Sequence, residues 1–459
     1  MSANDYQYWV MMPVRWSWSL VAQGPRVWWR LFNDSRLSAV ANVTVQTLVT
    51  VITAMAVRAM GDVEYGRSAT LGTYVNWFGF VAGFPVMALI PRFIAEGRKQ
   101  EQPFERKVAT TFWMGLFAGL LAFLAAMGFM GVGTRFYGLA GVGRPVLWFA
   151  LTYVVCLPYA HAQYFLQCSG RMRAWSVLNL LIYLAPLLSL WVGSLIQRPL
   201  SMEGYYLTVL VGYSISGLVG LGMILRYLGW RNLLTPDWSV VRDVLWAGRG
   251  GWVATVFVSL SGLAVSTLIV KLVGKTELGY YQMIVALGGW VQTVIVSVTV
   301  PAIARWSQVA AEGRFRTLLR DYRLRQLSTA SIAFLLSGVA LLSAPWILAW
   351  LYGEAYRPLA PLLRVGVLMW VTMGAGAWYW HLFAALGHPG RVMLANVTYG
   401  AVQVVIAWIL MAYFKVGVMG AMVAYVTASA CWLIVYEVVF RQLWRQVAAR
   451  PTRADAASG

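Results

Sequence analysis

The chain has 459 residues, 60% of them apolar and 11% charged, whereas a soluble domain carries about 25% charge. Composition therefore excludes a soluble globular protein and identifies a polytopic membrane protein. The formal net charge is +20, from 36 Lys plus Arg against 16 Asp plus Glu. These cations sit in short loops between apolar runs, which is a topogenic pattern and not a nucleic-acid surface.

Residues 1–36 hold Arg15, Arg26, Arg30 and Arg36 among many tryptophans, and Pro13 and Gly24-Pro25 break any helix. They read as an interfacial segment on the cytoplasmic surface. A membrane span needs about 20 apolar residues. Twelve such runs follow, near 37–60, 66–90, 108–131, 145–168, 174–196, 204–229, 250–273, 278–303, 326–352, 360–386, 391–414 and 416–440. Pro158 and Pro186 predict kinks. The runs divide into an N-lobe (37–229), a cytoplasmic interlobe linker (230–249) and a C-lobe (250–440), with a cytoplasmic tail over 441–459. An N-terminus placed inside puts most Lys and Arg on the cytoplasmic side, so both termini are expected there. Cys156, Cys168 and Cys431 lie in or beside apolar segments, with no spacing for a disulfide framework or a metal site.

The chain repeats itself. Residues 57–66 (VRAMGDVEYG) match residues 270–279 (VKLVGKTELG) at an offset of 213. Val57, Gly61, Glu64 and Gly66 recur as Val270, Gly274, Glu277 and Gly279, Arg58 recurs as Lys271, and Trp77 meets Trp290. Tyr137-Gly138 and Arg144-Pro145 are echoed by Tyr352-Gly353 and Arg357-Pro358, and Gly170 and Asn179 by Gly387 and Asn396. Six spans per half leave both halves in one orientation, so the symmetry axis runs along the membrane normal. The fold class is thus an all-α membrane protein with twelve transmembrane helices in two pseudo-symmetric six-helix lobes.

Asn42, Gln46, Thr50 and Thr53 share one face of the first span. Three counterparts in the seventh are also polar: Thr255, Ser259 and Ser266. Two readings stand: matching stripes that line a hydrated cavity, or polar helix packing. For Asn42 and Gln46 the cavity reading is preferred, because a buried amide needs partners. Arg58, Lys271 and Arg364 lie near span ends, where they either snorkel or form an outer cationic rim for an anionic headgroup. Arg92 and Arg305 face the same choice at the inner ends. Trp77 and Trp290 fall inside spans and serve either the core or a sugar ring. Trp378, Tyr379, Trp380 and His381 form an aromatic cluster, and His161 lies alone in the fourth span. No Asp or Glu falls in the middle of a predicted span, and there is no nucleotide-binding lysine motif.

Glu64-Tyr65-Gly66 and Pro91-Arg92-Phe93-Ile94-Ala95-Glu96 resemble the start of the polysaccharide-biosynthesis flippases. Gly279-Tyr280-Tyr281, Pro301, Leu351-Tyr352-Gly353-Glu354-Ala355-Tyr356, Leu386-Gly387-His388-Pro389 and Lys415-Val416-Gly417-Val418-Met419-Gly420-Ala421 continue that order. Over residues 37–440 the chain resembles Wzx-type flippases of the multidrug/oligosaccharidyl-lipid/polysaccharide (MOP) exporter superfamily. The resemblance implies a MATE-like fold and an undecaprenyl-diphosphate-linked oligosaccharide as cargo. It also implies a cationic cavity between the lobes, alternating access with an outer gate near Gly61 and Gly274, and a bacterial inner membrane. It implies no catalytic residue, metal or cofactor. The expected partners are membrane lipids and polysaccharide polymerase or synthase subunits. A drug or metabolite exporter on the same scaffold, a polymerase or ligase, and a membrane component of a synthase complex are the competing readings.

Overall fold

The computed structural model describes residues 40, 43–82, 90, 93–94, 104–169, 171–196, 199–289, 306, 309, 314–386 and 391–448. Residues 1–36, Asn42, Arg92, Trp290, Arg305 and the tail beyond 448 lie outside the described residues, as do the side chains of Thr255, Trp380 and His381.

Helical tracts occupy all twelve predicted span positions. The N-terminal half comprises α1 (Val43–Met60), α2 (Asp62–Ala82), α3 (Glu105–Gly128), α4 (Met130–Phe136) and α5 (Gly143–Val155). It continues with α6 (Leu157–Cys168), α7 (Met172–Ile196) and α8 (Met202–Leu228). After a one-turn α9 (Trp230–Leu234) come α10 (Val241–Leu272), α11 (275–289) and α12 (Phe315–Tyr352). The chain ends with α13 (Ala360–Gly366), α14 (Leu368–Ala385), α15 (Val392–Trp408) and α16 (Val418–Ala448). Among the described residues nine helices are long and apolar enough to cross a membrane. The remaining span positions are held by α2, by Val256–Leu272 within α10, and by α11. The molecule is a multi-pass membrane protein.

Local sequence sets the breaks. Gly61 (φ +78°) and Gly274 (φ +147°) occupy positive-φ backbone that disfavours any side chain, so a glycine turn follows both α1 and α10. The predicted fourth span is two helices, α5 and α6, divided just before Pro158. Pro186, by contrast, is absorbed within a continuous α7. The ninth span was expected from residue 326, but α12 begins at Phe315 and has 38 residues. At 1.5 Å per residue it is about 57 Å long, well beyond the roughly 30 Å hydrocarbon layer. Residues 315–325 carry no Pro or Gly to stop the helix, and Asp321 and Arg325 pair one turn apart at 3.0 Å.

Among the described residues four apolar clusters pack the interior. Ala56, Leu71, Tyr74, Val146 and Leu190 pack one end of the N-terminal half, and Phe112, Leu166, Leu178 and Ile224 the other. Trp306, Tyr322, Trp378 and Tyr436 pack one end of the C-terminal half. The fourth cluster, around Ile269, Met283, Leu348 and Met422, also takes in Ala54, Val57 and Ala69 from the first half. The halves therefore share a core at the end bearing the Gly61 and Gly274 turns. The Lys and Arg bias leads to the expectation that this end faces outward, and we refer to it as the outer end.

The connection between the halves is fastened to α3. Arg106 donates to the Thr235 carbonyl (2.6 Å) and Trp113 Nε1 to the Leu233 carbonyl (2.7 Å). Thr110 Oγ1 donates to the Asp237 carbonyl (2.8 Å), and the Asp237 amide donates back to the Arg106 carbonyl (3.2 Å). The Asp237 side chain accepts from the Ser239 amide and hydroxyl, and the Ser239 hydroxyl holds that carboxyl below its ordinary range.

Candidate functional site

The repeat brings its own copies into contact. A Cβ built on Gly66 would lie 2.6 Å from the Lys275 carbonyl oxygen, and one on Gly279 would lie 3.2 Å from Gly66 Cα. Gly66 and Gly279 are the same position in the two copies. Equivalent residues touch each other only near a two-fold axis, so the pseudo-axis passes through this crossing of α2 and α11. Glycine is required here for close approach of two backbones.

Two corners flank the axis, built from equivalent residues. In one, C-terminal cations reach into the turn that follows α4. Lys271 Nζ donates to the Phe136 carbonyl and lies 3.9 Å from the Phe136 ring centroid. Lys275 Nζ donates to the Gly138 carbonyl at 2.5 Å. Arg67 donates to the Ala140 carbonyl at 3.3 Å and pairs with Glu64 at 3.0 Å. Burial, then the Arg67 and Lys271 charges beside it, pulls the Lys275 ammonium below its ordinary value of 10.5. Tyr137 and Thr267 hydroxyls meet at 2.7 Å, and Trp77 Nε1 donates to Tyr137 (2.9 Å), so Trp77 belongs to the wall of this corner.

The other corner is hollow. A cavity of about 360 Å³ is lined by Val57, Arg58, Gly61 and Asp62 from one half and by Tyr280, Tyr352, Ala355 and Tyr356 from the other. At the offset of 213, Arg58 corresponds to Lys271, Asp62 to Lys275 and Tyr280 to Arg67. Arg58 donates to the Trp350 carbonyl, as Lys271 does to Phe136. Tyr280 donates to Asp62 across the junction at 3.2 Å, and Asp62 also accepts from the Val63 amide at 2.8 Å. The Tyr280 and Tyr356 rings stand edge to face at 6.1 Å. The buried Tyr352 hydroxyl has no partner among the described residues.

The remaining predicted residues lie elsewhere. Gln46 is buried, with its amide nitrogen 2.6 Å from where a Gly289 Cβ would stand, so it packs between the halves. Thr50 and Thr53 hydroxyls donate to the carbonyls of Gln46 and Val49 one turn earlier, each at 3.0 Å. Ser266 is buried and Ser259 exposed. Arg364 is exposed and donates to the Leu341 carbonyl at 3.3 Å, apart from both corners. Among the predicted residues, the structure gathers Arg58, Lys271 and Trp77 at the outer junction. Sequence reasoning missed Asp62, Lys275, Tyr280, Tyr352 and Tyr356. The usable signal was the charge reversal between Asp62 and Lys275 within the repeat.

A charged layer lies toward the opposite end of the C-terminal half. Arg323 contacts Glu437 at 3.1 and 3.4 Å, and Arg441 contacts it at 2.9 Å; the Tyr379 hydroxyl also donates to it. Trp306 Nε1 donates to Asp321 at 2.7 Å. The N-terminal half holds neutral contacts. His161 Nε2 meets Thr111 Oγ1 at 3.0 Å, matching Trp378 Nε1 and Thr329 Oγ1 at 2.9 Å. Tyr159 and Gln163 both donate to Asn179.

No protein-family model matches the sequence, and no curated protein matches it significantly. Solved structures do. An inward-facing multidrug resistance MATE family transporter of the MOP superfamily superposes with TM-score 0.71 at 13% identity, covering 90% of this chain and 98% of that one. An outward-facing MATE family transporter of the same superfamily gives 0.66 at 14% identity, covering 92% and 97%. A MOP superfamily transporter from Pyrococcus furiosus gives 0.64 at 13% identity, covering 91% and 96%; its description states that reverse polarity of its binding pocket suggests a different function. The chain has the fold of these transporters along nearly its whole length.

Proposed function

We propose that this protein belongs to the MOP superfamily and flips a lipid-linked oligosaccharide across a bacterial inner membrane by alternating access, with both termini cytoplasmic. The supporting observation is the sign of the charge where the halves meet. Arg67, Lys271 and Lys275 gather at one outer corner and Arg58 at the other, outnumbering the Asp62 and Glu64 carboxylates there. Among the described residues no Asp or Glu is fully buried. Cationic groups at the junction suit a diphosphate headgroup, whereas a cationic drug requires a carboxylate.

The physical task is to spare glycan hydroxyls from hydrocarbon, where each unpaired polar group costs about 2–7 kcal/mol. A polar path between the lobes supplies partners while the prenyl tail stays in lipid. No bond is made or broken. In the described state the outer ends of the lobes are closed on each other, in keeping with the superposition on an inward-facing transporter. Outward opening requires the Gly66–Gly279 contact and the Tyr280–Asp62 hydrogen bond to part.

A multidrug exporter is the second reading, favoured by the description of the MATE neighbours. Reconstitution decides between them. Vesicles loaded with fluorescent undecaprenyl-diphosphate-linked oligosaccharide should show protein-dependent appearance of glycan on the far leaflet. Transport of ethidium with no glycan movement would replace the first reading by the second.

A further inference from the structure

We infer that the hollow corner is an outer-face subsite for one pyranose ring of a glycan. The inference rests on the transport reading above for its cargo but on separate observations for its chemistry. The cavity, about 360 Å³, lies at the small end of the range for ligand pockets, about 300–1,000 Å³. Its lining combines three tyrosines with the Arg58 and Asp62 charges.

The polar groups select the ligand class. Arg58 and Asp62 place one charge of each sign in the same cavity. A phosphate is opposed by Asp62 and a lipophilic cation by Arg58. A neutral polyhydroxyl ring satisfies both, because its hydroxyls donate to a carboxylate and accept from a guanidinium. Tyr280 and Tyr356 add edge-to-face rings, and the electron-rich face of a tyrosine suits the C–H face of a sugar.

The equivalent corner shows that the hollow is not imposed by the fold. There Lys271, Lys275 and Arg67 stand in place of Arg58, Asp62 and Tyr280, and all three extend onto backbone carbonyls. A sugar hydroxyl entering the hollow corner competes with Tyr280 for Asp62, the hydrogen bond that joins the two halves there. Glycan at the outer face thereby weakens outer closure.

The test uses saturation-transfer NMR on the full-length protein in phosphatidylethanolamine/phosphatidylglycerol nanodiscs. The probes are free disaccharides of neutral hexose and of N-acetylhexosamine, with pyrophosphate and ethidium as competitors. Ring C–H protons of at least one disaccharide should receive saturation, and neither ion should displace it. Tyr356→Leu and Asp62→Asn should each weaken binding about tenfold, Tyr356→Phe should retain it, and Arg144→Gln should leave it unchanged. Unaltered melting temperatures separate these effects from misfolding. Absence of transfer to every disaccharide, displacement by either ion, or survival of the signal in both weakened variants overturns the inference. The vesicle assay is run in parallel. Glycan flipping without saccharide binding sinks the subsite and leaves the transport reading intact, while saccharide binding without flipping does the reverse.

Discussion

Asp62 and Lys275 occupy the same position of an internal repeat, and the corners they head differ accordingly. Around Lys275, three long cations extend onto the carbonyls of residues 136–140. Around Asp62, a short carboxylate accepts one tyrosine and leaves a cavity beside it. The backbone frame is shared, down to the positive-φ glycine that precedes each helix. Pseudo-symmetry thus fixes where the halves meet, and side-chain length and sign decide what remains open there.

The sharpest way to break the comparison is at the axis both corners share. A Gly66→Ala methyl group meets the Lys275 carbonyl at 2.6 Å and should cost the closed outer state about 1–3 kcal/mol, a population shift of about 5- to 150-fold. Spin-label distances across the outer end should lengthen; unchanged distances would show that the contact does not hold the closure. Next, Asp62→Lys should convert the hollow corner toward the cationic one. We expect glycan transport in vesicles to fall about tenfold, and full activity would remove the corner from the path. Smaller is Gln46→Leu, which tests whether the polar surface reaches beyond the corners. It should lower glycan export about threefold at normal membrane levels, and normal export would leave Gln46 as packing alone.

The smallest effect is on pH. Lys275 titrates below its ordinary value in the closed junction, so the charged form is disfavoured there relative to free lysine. Closure should therefore strengthen slightly as pH rises toward 10.5. Lys275→Gln should abolish the trend in the same spin-label distances.

Much of this architecture was legible in the chain. The twelve apolar runs, the Gly61 and Gly274 turns and the Gly66–Gly279 repeat follow from local composition and a fixed offset. The hollow corner was not, because Tyr352 and Tyr356 reach it from the end of α12 and the turn after it, and only folding juxtaposes these with Arg58 and Asp62. The ion-pair layer of Arg323 and Glu437, with Asp321 beside it, was not legible either. Hydropathy weighs residues singly and cannot register that they satisfy one another across α12, α14 and α16. The Gln46 stripe was visible as a periodicity, but whether it meets water or Gly289 is a property of the opposing helix.

The fastening of residues 233–237 to α3 has a mechanical corollary. A tether bonded at four points to the first half travels with that half, so it is not where the two halves pivot. Under the proposed alternating access the flexure falls later, and Gly248, Gly250 and Gly251 within α10 offer the first turns of low helical stiffness. Alanine at all three should slow lobe rocking while leaving the resting outer-end distances unaltered, and unaltered rocking rates would place the pivot elsewhere.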